Sequence, residues 1–183
     1  MNIYALIPLI SVIAYLALIG VVAMRPLARV HKVFIGLLVV SALWSFSSFI
    51  LHANFFPTQT LMWNRALLVL AISVPLLFYH FVRVYFNKPI RVGVYLGFAT
   101  LLGFTIFISL GGILKSSYVV DGILYWEYDI SFYLLFIPLG AFMATAMLHL
   151  VQGFRRATDP YGRNRIGFLI AAICIWILYA FPR

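Results

Sequence analysis

The sequence predicts an all-α membrane protein: a polytopic transmembrane helix bundle, six spans visible and part of a set of seven, with a short extracellular β-hairpin. Three observations carry that expectation. The 183 residues are 65% hydrophobic and only 9% charged, with mean hydropathy +1.08; soluble domains carry about a quarter charged residues, so a soluble globule is excluded. Six apolar runs can be drawn, about 3–24, 33–53, 62–84, 92–114, 130–153 and 166–182, each near the length a bilayer core demands. The charges form short clusters between these runs. The net charge of +9 and pI near 10.0 therefore reflect membrane topology, and a nucleic-acid partner is set aside.

The first run is too long for the core of a signal peptide, and no positive charge precedes it. Arg25, Arg29 and Lys32 follow it, which predicts an extracytoplasmic N-terminus and a first loop in the cytoplasm. Alternation then makes 25–32, 85–91 and 154–165 the inner loops. With the flanking Arg83 they hold Arg25, Arg29, Lys32, Lys88, Arg91, Arg155, Arg156, Arg163 and Arg165, leaving Arg65, Lys115 and Arg183 outside. That imbalance orients every span at once.

The second span carries Ser41, Ser45, Ser48 and His52 on one helical stripe, with Trp44 beside it. Small hydroxyls on one face permit close helix contact, and packing is the preferred reading over a polar cavity lining. The third stretch, Leu61 to Lys88, is the one around which the others are expected to pack. Its apolar middle, Ala66 to Val82, spans roughly 26 Å. Arg65 and Arg83 return to the same face, one at each water boundary. The fourth span repeats small residues at Gly93, Gly97 and Gly103, again a packing face. Pro75, and Pro138 with Gly140, suggest kinks near the bilayer middle.

Between the fourth and fifth spans, Tyr118 to Tyr125 places Asp121-Gly122 between two β-prone runs, a hairpin signal over about 117–126. Val120 is expected opposite Ile123, Val119 opposite Leu124 and Tyr118 opposite Tyr125. Three of the four acids, Asp121, Glu127 and Asp129, fall in this loop. Its two apolar faces suit a lid or plug on the bundle, with Trp126 and Tyr128 as interfacial anchors. Further on, Asp159-Pro160-Tyr161-Gly162 matches a type I turn, with the sixth helix opening at Arg163-Asn164-Arg165. The last run stops at Phe181-Pro182-Arg183 and reads as ending before a seventh span.

Two clusters stand out as candidate sites. Trp63, Asn64 and Arg65 would floor an outward pocket under the hairpin, with Trp44, His52, Tyr125 and Trp126 around it. The plainer reading of Arg65 is a side chain that snorkels to the interface. His80, Arg83 and His149 would form an inner polar cluster. The two histidines share a depth, which leaves a bis-histidine haem as a weaker alternative. No phosphate loop, metalloprotease motif or nucleophile elbow occurs, and no carboxylate lies in an apolar core. Neither an enzyme nor a cofactor is therefore expected, and a carboxylate proton relay is disfavoured. Cys174 is the sole cysteine, so no intrachain disulfide can form.

The pattern resembles the N-terminal seven-transmembrane sensor region of bacterial sensor histidine kinases. The likeness rests on Ser41-Ala42-Leu43-Trp44, on Trp63-Asn64-Arg65 with Pro75, Phe78 and Arg83, on the Asp-Gly hairpin and on the basic Arg155–Arg165 loop. It implies an input module of a two-component system, without catalytic residues of its own, that hands a signal to a cytoplasmic output domain. The chain departs from that pattern in lacking the seventh span and any output domain. The expected partners are membrane lipid, a small or lipid-like ligand, the output domain and a second copy of the chain. The alternative is a small-solute transporter or channel subunit.

Overall fold

Helix length and apolar composition set the architecture. The computed structural model describes residues 3–26, 28–89, 92–120 and 123–180. The expected turn at Asp121-Gly122, the inner cation Arg91 and the closing Phe181-Pro182-Arg183 lie outside the described residues. Among the described residues six α-helices follow one another: α1 (Ile3–Ala23), α2 (Arg29–Ala53), α3 (Thr60–Tyr85), α4 (Val92–Ser109), α5 (Phe136–Arg156) and α6 (Pro160–Ala180). Two strands, β1 (Leu114–Val120) and β2 (Ile123–Tyr128), stand between α4 and α5. Among the described residues five stretches, those holding α1 to α5, are long and apolar enough to cross a membrane. The chain is thus a bundle of long apolar helices fit for a lipid environment, with one small sheet.

α3 is the centre. Over its most apolar window 56% of α3 is buried, against 6% for α1, so α3 is the element the others cover. It packs on α2, α4, α5 and β1, whereas α1 leans chiefly on α2. Two apolar clusters follow along α3. Leu68 and Ile72 meet Ile108, Ile113, Leu114 and Leu135 at one end. Tyr79, Phe81 and Val82 meet Val94, Ala146, Leu150 and Ile166 at the other.

Turn chemistry shortens the fourth span from the expected 92–114. Gly111 takes φ +86°, a left-handed conformation that glycine adopts without a Cβ penalty. Its N–H donates to the Ile108 carbonyl, and the Gly112 N–H to Phe107, closing the helix end. β1 then starts at Leu114, five residues after the last helical one. α3 ends in the same way, with Asn87 at φ +52° and the Lys88 N–H on the Arg83 carbonyl.

Other boundaries move for local reasons. The expected type I turn at Asp159–Gly162 is the first turn of α6: Asp159 accepts from the N–H of Tyr161 at 3.2 Å and of Gly162 at 2.8 Å. Pro160 sits at the first helical position, where a missing N–H costs nothing. Residues 130–135 form a 3₁₀ helix capped by Asp129, so α5 begins at Phe136. Pro138 is consequently the third residue of α5, just after the 3₁₀ stretch. α2 begins at Arg29, ahead of the expected residue 33. In the sheet Tyr118 pairs with Tyr125, Val119 with Leu124 and Val120 with Ile123. The paired strands reach beyond 117–126, to Leu114 opposite Tyr128.

The small-residue face of α4 is used unevenly. A Cβ at Gly97 would collide with the Leu76 side chain and stand 2.9 Å from the Phe142 ring, whereas Gly103 has open space. Gly97→Val should therefore lower stability by about 1–3 kcal/mol, the range for an overpacked core. Gly103→Val should leave it nearly unchanged. Thermal unfolding of both variants in detergent measures the contrast.

Candidate functional site

The outer end of α3 is built from helix ends. Asn64 is 1% exposed, and its amide donates to the Ser117 hydroxyl of β1 at 3.0 Å. This bond ties the sheet to α3. Arg65 lies one position on, and its Nη1 donates to the Ser109 carbonyl at 3.1 Å. Ser109 is the last residue of α4, so the guanidinium meets the negative end of that helix. Its Nε is buried with no partner among the described residues.

Beside Arg65 opens a cavity of about 720 Å³. Thr58, Gln59, Arg65 and Ser109 form its polar part; Met62, Ala66, Val69 and Leu70 form an apolar wall along α3. Of the residues proposed from sequence for an outer pocket, Arg65 alone lines it. Trp63 turns the other way, stacked on Phe56 at 6.2 Å and edge-on to Phe46 at 6.3 Å. The indole N–H groups of Trp44 and Trp63 are both buried without a partner among the described residues. His52 bonds the Ser48 carbonyl of its own helix at 2.8 Å. Tyr125 stacks on Tyr118 at 5.7 Å, and Trp126 is half exposed beside Tyr128. The outer set is therefore distributed over several contacts rather than gathered in one pocket.

The inner set is more closely knit. Arg83 is 6% exposed; it donates from Nη1 to the Tyr79 hydroxyl at 3.2 Å and from Nη2 to the Pro89 carbonyl. It thereby fastens the connection between α3 and α4. Its charge lies within electrostatic reach of both His80 and His149. The two imidazoles nonetheless take different neighbours. His149 Nδ1 accepts from Lys88 Nζ at 2.9 Å, while the His80 ring lies edge-on to Phe98 at 6.5 Å.

A second cavity, about 180 Å³, lies deeper in the bundle and has no signature in the sequence. Tyr15 of α1, Ser41 of α2, Pro75 and Phe78 of α3, Met143 of α5 and Ile173 of α6 each contribute to it. Ser41 spends its hydroxyl proton on the Leu37 carbonyl at 2.9 Å, so the lining is essentially apolar. Taken singly, Ser41 and Pro75 read as a packing and a kink feature. Their convergence depends on how α2 docks on α3, which no single-helix pattern reveals. Among the described residues no group of three or more His, Cys, Asp or Glu side chains could hold a metal ion. Comparison with protein-family models, curated proteins and solved structures found no match to this chain.

The sheet is anchored by the one ion pair among the described residues, Lys115 Nζ to Asp129 Oδ2 at 2.8 Å. The ammonium and the Ser131 N–H hold the Asp129 carboxyl below its ordinary range, and Asp129 raises Lys115 in turn. The aspartate's contribution is complete above the unfolded carboxylate value of about 3.9. It fades as pH falls through the lower folded value. The lysine's is complete below about 10.4 and fades as pH climbs through its raised value. Protection factors of the β1 and β2 amides, with the intrinsic pH dependence of exchange divided out, should therefore be flat between those limits and smaller outside them. Asp129→Asn should abolish the acid limb.

Proposed function

We propose that the chain is a membrane-embedded sensory input module of a bacterial signal-transduction protein. It spans the inner membrane repeatedly, N-terminus outside, and couples an extracytoplasmic or membrane signal to a cytoplasmic output domain such as a histidine kinase. The observation that carries this reading is the central cavity, because residues of α1, α2, α3, α5 and α6 share it. A molecule entering there touches five helices at once, α6 included. The distribution of Lys and Arg and the resemblance to kinase sensor regions support the same conclusion.

The mechanism follows from packing. A void leaves its lining without dispersion contacts on one side. A small or lipid-like ligand that fills the cavity in one helix arrangement and not in another favours the arrangement it fits; moving the equilibrium from 1:99 to 99:1 takes about 5.5 kcal/mol of differential binding. Pro75 is where α3 can yield, since it has no N–H to offer the Ala71 carbonyl one turn back.

Two outcomes test the reading. With the chain placed ahead of a membrane helix and a kinase core in reporter cells, Ala172→Phe and Ser41→Leu should shift basal output at least threefold. Gly103→Phe, in open space on α4, should not. Fillers that accumulate normally yet leave output unchanged would defeat the proposal, as would solute flux through the protein in liposomes. Orientation is tested separately. In a Cys174→Ser background, Thr158→Cys should react with a membrane-impermeant thiol reagent only after the cytoplasmic side is opened.

A further inference from the structure

We infer that the groove beside Arg65 binds a single-chain anionic amphiphile, a long-chain carboxylate whose head meets the guanidinium and whose tail lies along α3. This binding does not depend on the sensory reading; a carrier would use the same chemistry.

The groove is amphipathic. Thr58 and Gln59 of the turn before α3 stand at its outer end with Leu61 and Met62, Arg65 and Ser109 supply polar groups beyond them, and Ala66, Val69 and Leu70 continue an apolar wall along α3 past Arg65. Its volume of about 720 Å³ lies inside the ~300–1,000 Å³ typical of small-molecule sites. That suits one tail and one head.

Charge selects the head. Among the described residues no acidic side chain lines the groove. The described carboxylates of the outer loop are committed elsewhere, Asp129 to Lys115 and Glu127 to the Ser116 hydroxyl. Arg65 makes a single hydrogen bond among the described residues, and its buried Nε has none. A simple snorkelling arginine would extend into water; this one reaches across to the end of α4 and stays over an apolar wall. A partly desolvated cation there is stabilised by a counter-charge. A carboxylate in the groove accepts from the guanidinium N–H groups on the groove side that the Ser109 carbonyl leaves over. Gly111 lies against the guanidinium, where a Cβ would stand 3.1 Å from Nη2.

The test uses the full chain in phosphatidylcholine nanodiscs with a fluorescent long-chain polyene carboxylate as probe. The carboxylate should bind saturably, and a fatty acid should displace it. An alcohol of equal chain length should compete about tenfold more weakly or worse, the loss of roughly one charge-assisted contact. Arg65→Gln keeps a donor for the Ser109 carbonyl and should lower affinity about tenfold or more. Val69→Trp fills the tail wall without touching that bond and should also weaken binding, measured below the unfolding temperature of the variant. Lys115→Gln should bind as the parent does. Equal competition by the alcohol would overturn the proposal, as would parental affinity in both Val69→Trp and Arg65→Gln. Displacement of the probe by phosphatidylglycerol as readily as by fatty acid would overturn it in favour of an ordinary boundary lipid.

Discussion

Two arginines on one face of α3 hold the two ends of α4. Arg65 donates to the Ser109 carbonyl, where α4 ends, and Arg83 donates to the Pro89 carbonyl, just before α4 begins. A bilayer interior offers no hydrogen-bond partners, so open carbonyls near its edges must be closed by the chain itself. The lengths agree. The interval from Arg65 to Arg83 rises about 27 Å along a helix, and α4 has 18 residues, the same rise. Arg65 thus satisfies a carbonyl that the end of α4 leaves over, and Arg83 a carbonyl of the α3–α4 connection, so the two guanidinia hold α4 against α3 near both of its ends.

The remaining polar contacts extend from those two points. At the outer end Asn64, next to Arg65, fastens β1 through Ser117. At the inner end Lys88, on the loop that Arg83 holds, reaches His149 of α5. α3 thus carries the sheet at one end and the α5 contact at the other, with apolar packing between them. This arrangement explains why the hydroxyls of Ser41, Ser73 and Thr105 turn back to carbonyls of their own helices. Between the two polar ends the helices meet by shape, as where Gly97 admits the Leu76 and Phe142 side chains.

How much of this was legible follows from which interactions are local. The apolar runs, the central place of α3 and the shared face of Arg65 and Arg83 are properties of one helix, and the sequence displays them. The ends of helices were misjudged where a single residue decides. Gly111 stops α4 because of its left-handed backbone, and Asp159 with Pro160 starts α6 because one caps and the other needs no donor. Proximity in sequence also misled. Trp63, Asn64 and Arg65 are consecutive, yet at about 100° per residue they face α2, β1 and the end of α4 in turn. The central cavity was invisible because it has no motif; it is the gap left where Tyr15, Ser41, Pro75 and Ile173 come from four different helices.

The two cavities sit at different depths on the same helix, and their relation turns on Pro75. Arg65 and Pro75 are ten residues apart, about 15 Å along α3, with the outer groove at one and the central cavity at the other. Above Pro75, α3 is fixed by Asn64 and Arg65; below it, by Arg83. Between these anchorages the Ala71 carbonyl lacks its helical donor, so bending there breaks no backbone hydrogen bond. A load applied at either anchorage therefore has its most compliant place to go at Pro75, beside the central cavity.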